Sequence, residues 1–127
     1  MEKVKGGCGV DSILTSIKKM LGIVEEYEQF DQDIIIHINT VLTILSQLGV
    51  GPSSGFSIKD KTATWQDFVG DNPALESIKS YIYLKVRLIF DPPLSSVVTS
   101  SIEKMISELE WRILVTVDPP AKSESEG

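Results

Sequence analysis

The chain of 127 residues has a single cysteine and a single histidine. Cys8 alone supports neither an internal disulfide nor a cysteine metal cluster. With no histidine or helix frame beside it, it reads as a passenger thiol in the N-terminal segment. His37 has no companion histidine for a metal site and reads as a structural residue at the edge of the core. Basic residues are scarce: 12 Lys and Arg stand against 18 Asp and Glu, for a net charge of −6. Binding nucleic acid by phosphate neutralisation needs clustered Lys and Arg, so this composition excludes it for the unaided chain. No apolar run approaches the ~20 residues of a membrane span. The richest window, 34–48, is interrupted by His37, Asn39, Thr40 and Gln47. Lys3 and Lys5 are followed by Gly-Gly-Cys-Gly and by no apolar signal core, so the expectation is a soluble, unsecreted protein without a membrane partner. The run Gly49-Val50-Gly51-Pro52-Ser53-Ser54-Gly55 lacks the Lys-Ser/Thr and the immediate helix of a phosphate-binding loop. No cofactor, metal or catalytic residue is implied.

What is present is helical periodicity, with an apolar content of 42% that suits one folded domain with one modest core. The glycine-rich segment 1–11 reads as a flexible arm and 118–127 as a disordered acidic tail, leaving 12–117 as the domain. Asp11 or Ser12 caps a first helix with Ile13, Leu14, Ile17, Met20 and Leu21 on one face and Lys18 and Lys19 in its last turn. Residues 23–30 form an acidic connector with Tyr27 and Phe30 pinned to the core. Asp31 caps a second helix, whose stripe Ile34, Ile38, Val41, Leu42, Leu45 and Leu48 is widened by Ile35, Ile36 and Ile44, so it is buried on two sides. A long irregular stretch, 49–63, has the length of a binding loop or of a segment ordered by a partner. Thr64-Trp65-Gln66-Asp67 is a capped helical start that puts Trp65 and Phe68 on one side. Two readings stay open for that pair: plugs of the core, the heavier one, or anchors of a subunit contact.

Asn72 and Pro73 open a third long helix running to about Phe90. One stripe of it is Leu75, Ile78, Ile82, Val86 and Ile89; a second is Tyr81, Leu84 and Leu88. Two stripes ask for two packing partners: the core, and either another element or another chain. Asp91-Pro92-Pro93 stops the helix and forms a rigid elbow. A last helix begins near Ser95 or Ser96 with the stripe Val98, Ile102, Met105, Leu109 and Arg112/Ile113. Trp111 lies off that stripe, where it either faces a partner or covers the hairpin end. Residues 115–117 extend the helix or form a short strand. The fold class that results is all-α: a small bundle of about four helices with a long loop between the second and third long helices and a C-terminal helical hairpin.

The segments Asp60-Lys61-Thr62-Ala63-Thr64-Trp65, Tyr81-Ile82-Tyr83-Leu84-Lys85-Val86-Arg87-Leu88-Ile89-Phe90-Asp91-Pro92-Pro93 and Glu108-Leu109-Glu110-Trp111-Arg112 resemble the small head–tail connector (head-completion, adaptor) proteins of tailed phages and prophages. The resemblance runs from about Ser12 to Val117. It implies a non-enzymatic structural subunit in the virion neck, assembled in the host cytoplasm. Its partners would be the portal protein, the neck and tail proteins, and further copies of itself in a ring. That ring would lengthen the DNA channel without sequence-specific contact to the DNA. The family carries no strict functional motif, so the resemblance transfers only a zone, the elbow and the hairpin it defines. Interface candidates are Trp65 and Phe68, with Tyr81, Tyr83, Arg87, Asp91, Pro92, Pro93, Trp111 and Arg112 in or beside that zone.

Two other function classes compete. A helical adaptor or DNA-binding regulator, monomeric or dimeric, needs a helix face with clustered Arg, Lys, Asn or Gln, and none of these helices has one. A small hydrolase needs a nucleophile–base or carboxylate pair in a cleft, for which the residues are absent.

Overall fold

The computed structural model describes residues 12–117. The expectations for the arm 1–11 with Cys8 and for the tail 118–127 lie outside the described residues. Among the described residues five helices follow in order: α1 (Ile13–Met20), α2 (Asp31–Gln47), α3 (Trp65–Val69), α4 (Leu75–Phe90) and α5 (Ser96–Val117). No strand occurs among the described residues; a single antiparallel bridge joins Ser12 to Thr64.

The helix starts follow from local chemistry. The Ser12 side chain accepts from the Thr15 amide and caps α1. Thr64 and Asp67 form a reciprocal capping box at α3, each side chain accepting from the other's backbone amide. Ser95 Oγ accepts from the Val98 amide at the head of α5. Two starts differ from the sequence expectation. Asn72 Oδ1 accepts from the Ala74 amide at 2.7 Å, but Pro73 and Ala74 form a turn and α4 begins at Leu75. Asp31 is not the cap of α2: Phe30 holds that position with no side-chain hydrogen bond, and the Asp31 carboxylate lies 2.8 Å from Lys18 Nζ.

The core is one cluster. Ile13, Leu14 and Ile17 of α1, Ile34, Ile38, Val41, Leu42 and Leu45 of α2, and Ile78, Tyr81, Ile82 and Val86 of α4 are all buried. Burying one such isoleucine contributes about 2 kcal/mol. Phe30 at the start of α2 touches Phe90 at the end of α4, so these two helices are antiparallel. After the elbow, α5 returns along α4. Its last residue, Val117, approaches Gly49 just past α2: a Cβ on Gly49 would sit 2.9 Å from Val117 Cγ1. One end of the molecule therefore gathers the start of α2, the end of α4, the elbow and the start of α5.

The second apolar stripe of α4 needs no other chain, because α5 covers it through Ile102, Ile106 and Ile113. The stripe of α5 itself is turned from the expected one. Ile106 is buried, whereas Val98 and Met105 are 42% and 50% exposed. The loop 49–63 is ordered by the chain itself rather than awaiting a partner. Asn39 clamps Ile58, its Nδ2 donating to the carbonyl at 3.0 Å and its Oδ1 accepting from the amide at 2.7 Å. Val50 and Ile58 are buried, and Phe56 stacks on Phe68 at 5.1 Å between ring centroids. The Thr62 hydroxyl and amide both donate to Asp60, which holds its carboxyl below the ordinary range. No helix among the described residues is long and apolar enough to cross a membrane.

Candidate functional site

Two short aromatic segments were read as reaching the core, and the fold buries only one of them. Trp65 and Phe68, for which core plug was the heavier of two readings and subunit anchor the other, are 3% and 2% exposed. The Trp65 indole donates to Ser16 Oγ at 3.0 Å, and the Lys79 ammonium lies 5.6 Å from its ring centroid. Phe68 fills the space between Phe56 and Gly51. Both are core plugs, because the capping box turns their common side inward.

Tyr27 and Phe30, expected in the core, are 47% and 39% exposed. Their rings meet edge to face at 5.6 Å, and Phe30 meets Phe90 in the same manner at 5.2 Å. The segment 23–30 is nonhelical and lies across the helix ends, so its backbone groups need partners there. Turn bonds supply some of them, Tyr27 N–H to the Val24 carbonyl and Asp31 N–H to the Glu28 carbonyl, and Lys18 supplies two more. Its amine is almost fully buried and donates to the carbonyls of Glu25 at 2.9 Å and Tyr27 at 2.8 Å while pairing with Asp31. The lysine expected in the last turn of the first helix, where it complements the dipole, is thus also the peg that fixes the connector. Periodicity gave no sign of this; the one available signal was a lysine one residue after Ile17 on a short amphipathic helix.

The aromatic cluster continues into the elbow. Ile89 is 53% exposed, Leu94 fully exposed and Val97 73% exposed, while Pro92 is exposed and Pro93 half-buried. Asp91, at φ −144° and ψ 66°, is the residue where the helical path ends. Exposed apolar residues gathered at one end of a molecule are a candidate interaction site. A second bare surface runs along α5, which packs chiefly on α4 and leaves Met105, Trp111 and Leu114 in solvent.

The remaining candidates divide between these surfaces and the interior. Tyr81 is fully buried, and its hydroxyl donates to Glu110 Oε2 at 3.0 Å, tying α4 to α5. Burial first, and then that carboxylate, push the phenol well above its ordinary range. Tyr83 and Arg87 are half-buried on α4. Trp111 is 64% exposed. Arg112 beside it pairs with Glu108 at 3.0 Å across one helical turn, an exposed pair that contributes little to stability. His37 is half-buried on α2. No cluster of His, Cys, Asp and Glu suited to a metal ion occurs among the described residues.

No curated protein and no solved structure matches the chain. The family of phage connector proteins matches residues 13–120, which takes in every described helix. An all-helical hairpin with a bare elbow, the residues of that elbow, and this match agree: the chain belongs to the phage connector protein family and is a structural component of the phage neck.

Proposed function

We propose that this protein is a ring subunit that docks on the portal protein, extends the DNA channel and carries the next neck or tail protein. The observation that carries this reading is the apolar end of the molecule: Tyr27, Phe30, Ile89, Pro92 and Leu94 are exposed there in the single chain, with half-buried Phe90 among them. A ring is closed by two different faces of each subunit. We assign the outer face of α5, with Met105 and Trp111, to the neighbouring copy, and the elbow end to the protein stacked above or below. The net charge of −6 suits a channel wall that lets DNA slide without gripping it.

The test is co-sedimentation with the cognate portal protein, followed by negative-stain imaging. A ring added to the portal supports the proposal and gives its symmetry. A folded chain that leaves the portal bare contradicts it. Pro92→Ala with Pro93→Ala is expected to keep a folded helical chain while weakening assembly, because the hairpin angle is then less fixed. Unchanged assembly removes the elbow from the proposal.

A further inference from the structure

A groove of about 860 Å³ lies between α1, the residues that follow it and one side of α4. Its floor is apolar, with Met20, Ile23 and an exposed Val24. Its charged rim is mixed. Lys19, Glu25 and Glu26 stand beside Lys79, which is held by Glu76 at 3.7 Å and by the Trp65 ring. The α4 wall is Glu76, Lys79 and Ser80, and no residue of α5 lines the groove. Successive helical residues are about 100° apart, so Ser80 and Tyr81 leave α4 in different directions, one to the groove and the other to α5. The groove and the outer face of α5 are therefore two different surfaces of one subunit.

We infer that this groove receives Trp111 of a second copy of the chain, the next subunit of the ring; the inference rests on the ring reading and supplies the second face that a heterologous contact needs. Level along the molecule selects this occupant. Copies in a ring are related by rotation about one axis, so two surfaces that meet lie at the same height along it. The elbow ends α4 and is assigned to the protein stacked above or below, so α4 runs along that axis. Trp111 follows Glu110, whose carboxylate accepts from the Tyr81 hydroxyl at 3.0 Å, and Tyr81 adjoins Lys79 and Ser80 of the groove wall. The exposed indole and the groove are thus level. The order along the axis agrees as well. Lys104 lies two turns nearer the elbow than Trp111, about 10 Å, and Glu25 and Glu26 immediately precede Tyr27 of the elbow cluster. Lys104, Glu25 and Glu26 make no ion pair among the described residues. The contact sets Trp111, a residue type favoured as an interface anchor, on the apolar floor and Lys104 beside the two carboxylates. Lys19 at the rim meets a helix face that also carries Glu103 and Glu108, so it does not oppose the contact.

The test is cross-linking in the full chain, with Cys8→Ser removing the only native thiol. Val24→Cys places a thiol in the groove, and Ser107→Cys places one on the exposed side of α5, one turn before Trp111. Chains are assembled on the cognate portal protein and treated with a short bis-maleimide. The double variant is expected to give a ladder of dimers, trimers and higher products, because each copy offers one thiol to either neighbour. Either single variant is expected to stay monomeric. A second arm needs no thiol. Lys104→Glu is expected to lower the yield of rings on the portal about fivefold, the scale of an exposed ion pair. Adding Glu25→Lys with Glu26→Lys is expected to restore it. Rings that form on the portal without a ladder, a product that stops at the dimer, or a ring yield indifferent to these charges overturns the pairing and leaves the ring reading standing. A portal left bare by the parent chain overturns the ring reading, and the pairing falls with it.

Discussion

The two aromatic segments beside the long helices make an instructive pair. The segment 64–68 places Trp65 and Phe68 on one side of a capped turn, and each ring finds a specific neighbour: a serine hydroxyl for the indole, and Phe56 with Gly51 for the phenyl. The segment 27–30 has no helical turn to hold its rings on one side. A buried ammonium holds its Tyr27 carbonyl, turn bonds hold the Tyr27 amide and the Glu28 carbonyl, and its rings are left to each other and to Phe90 at the rim. The residue types are alike; the difference lies in whether local backbone structure turns them inward. An aromatic residue in a connector is therefore a poor guide to burial until the partners of its backbone are known.

The comparison can be broken at the buried pair first. Trp65→Ala removes a buried indole and its hydrogen bond, and is expected to lower stability by about 4 kcal/mol in denaturant unfolding. Next is Lys18→Met, which keeps the apolar stem and removes the amine. It leaves two carbonyls and the Asp31 carboxylate without their donor, an expected loss of about 3 kcal/mol. Hydrogen exchange should then quicken at 23–30 before it does so in α2. Equal protection of both would mean that the lysine does not hold the connector.

Gly51→Ala tests the other segment's fit. Gly51 has φ 86°, and a Cβ there would come within 2.5 Å of the Phe68 ring. Strain and overlap together are expected to cost about 2 kcal/mol. Smaller effects belong to the exposed side. Phe30→Ala should cost about 1 kcal/mol, the contribution of its two edge contacts. Trp111→Ala, at 64% exposure, should stay within about 0.5 kcal/mol. A larger loss for Trp111 than for Trp65 would reverse the account of which tryptophan belongs to the core.

Much of the fold was legible in the sequence because it follows from period and punctuation. The main apolar stripe of α2, the capping box at Thr64 and Asp67 and the Asp-Pro-Pro stop each rest on a local rule and are found where that rule puts them, whereas Ile36, expected to widen the α2 stripe, is 59% exposed. What could not be read depends on contacts across the chain. The Asn39 clamp on Ile58 spans 19 residues, and nothing near Asn39 marks it as more than a gap in an apolar run. Lys18 reads as a last-turn charge that complements the helix dipole until the connector is seen to fold over it. The surplus apolar surface of α4 was legible, but its cover was not. The chain covers it with α5 and moves the bare surface to the elbow and to the outer side of α5. The elbow itself was marked by its prolines, whereas Tyr27 and Phe30 join it only through the antiparallel pairing of α2 with α4.

The central claim is that the neck contact is made by the exposed cluster and not by the buried one. The most direct measurement is portal co-sedimentation of the parent beside a Tyr27→Ser, Phe30→Ser chain, with unfolding curves for both. The account predicts a parent that adds a ring to the portal, and a variant that stays folded within about 2 kcal/mol of the parent yet leaves most portals bare. A variant that decorates portals as fully as the parent would contradict it.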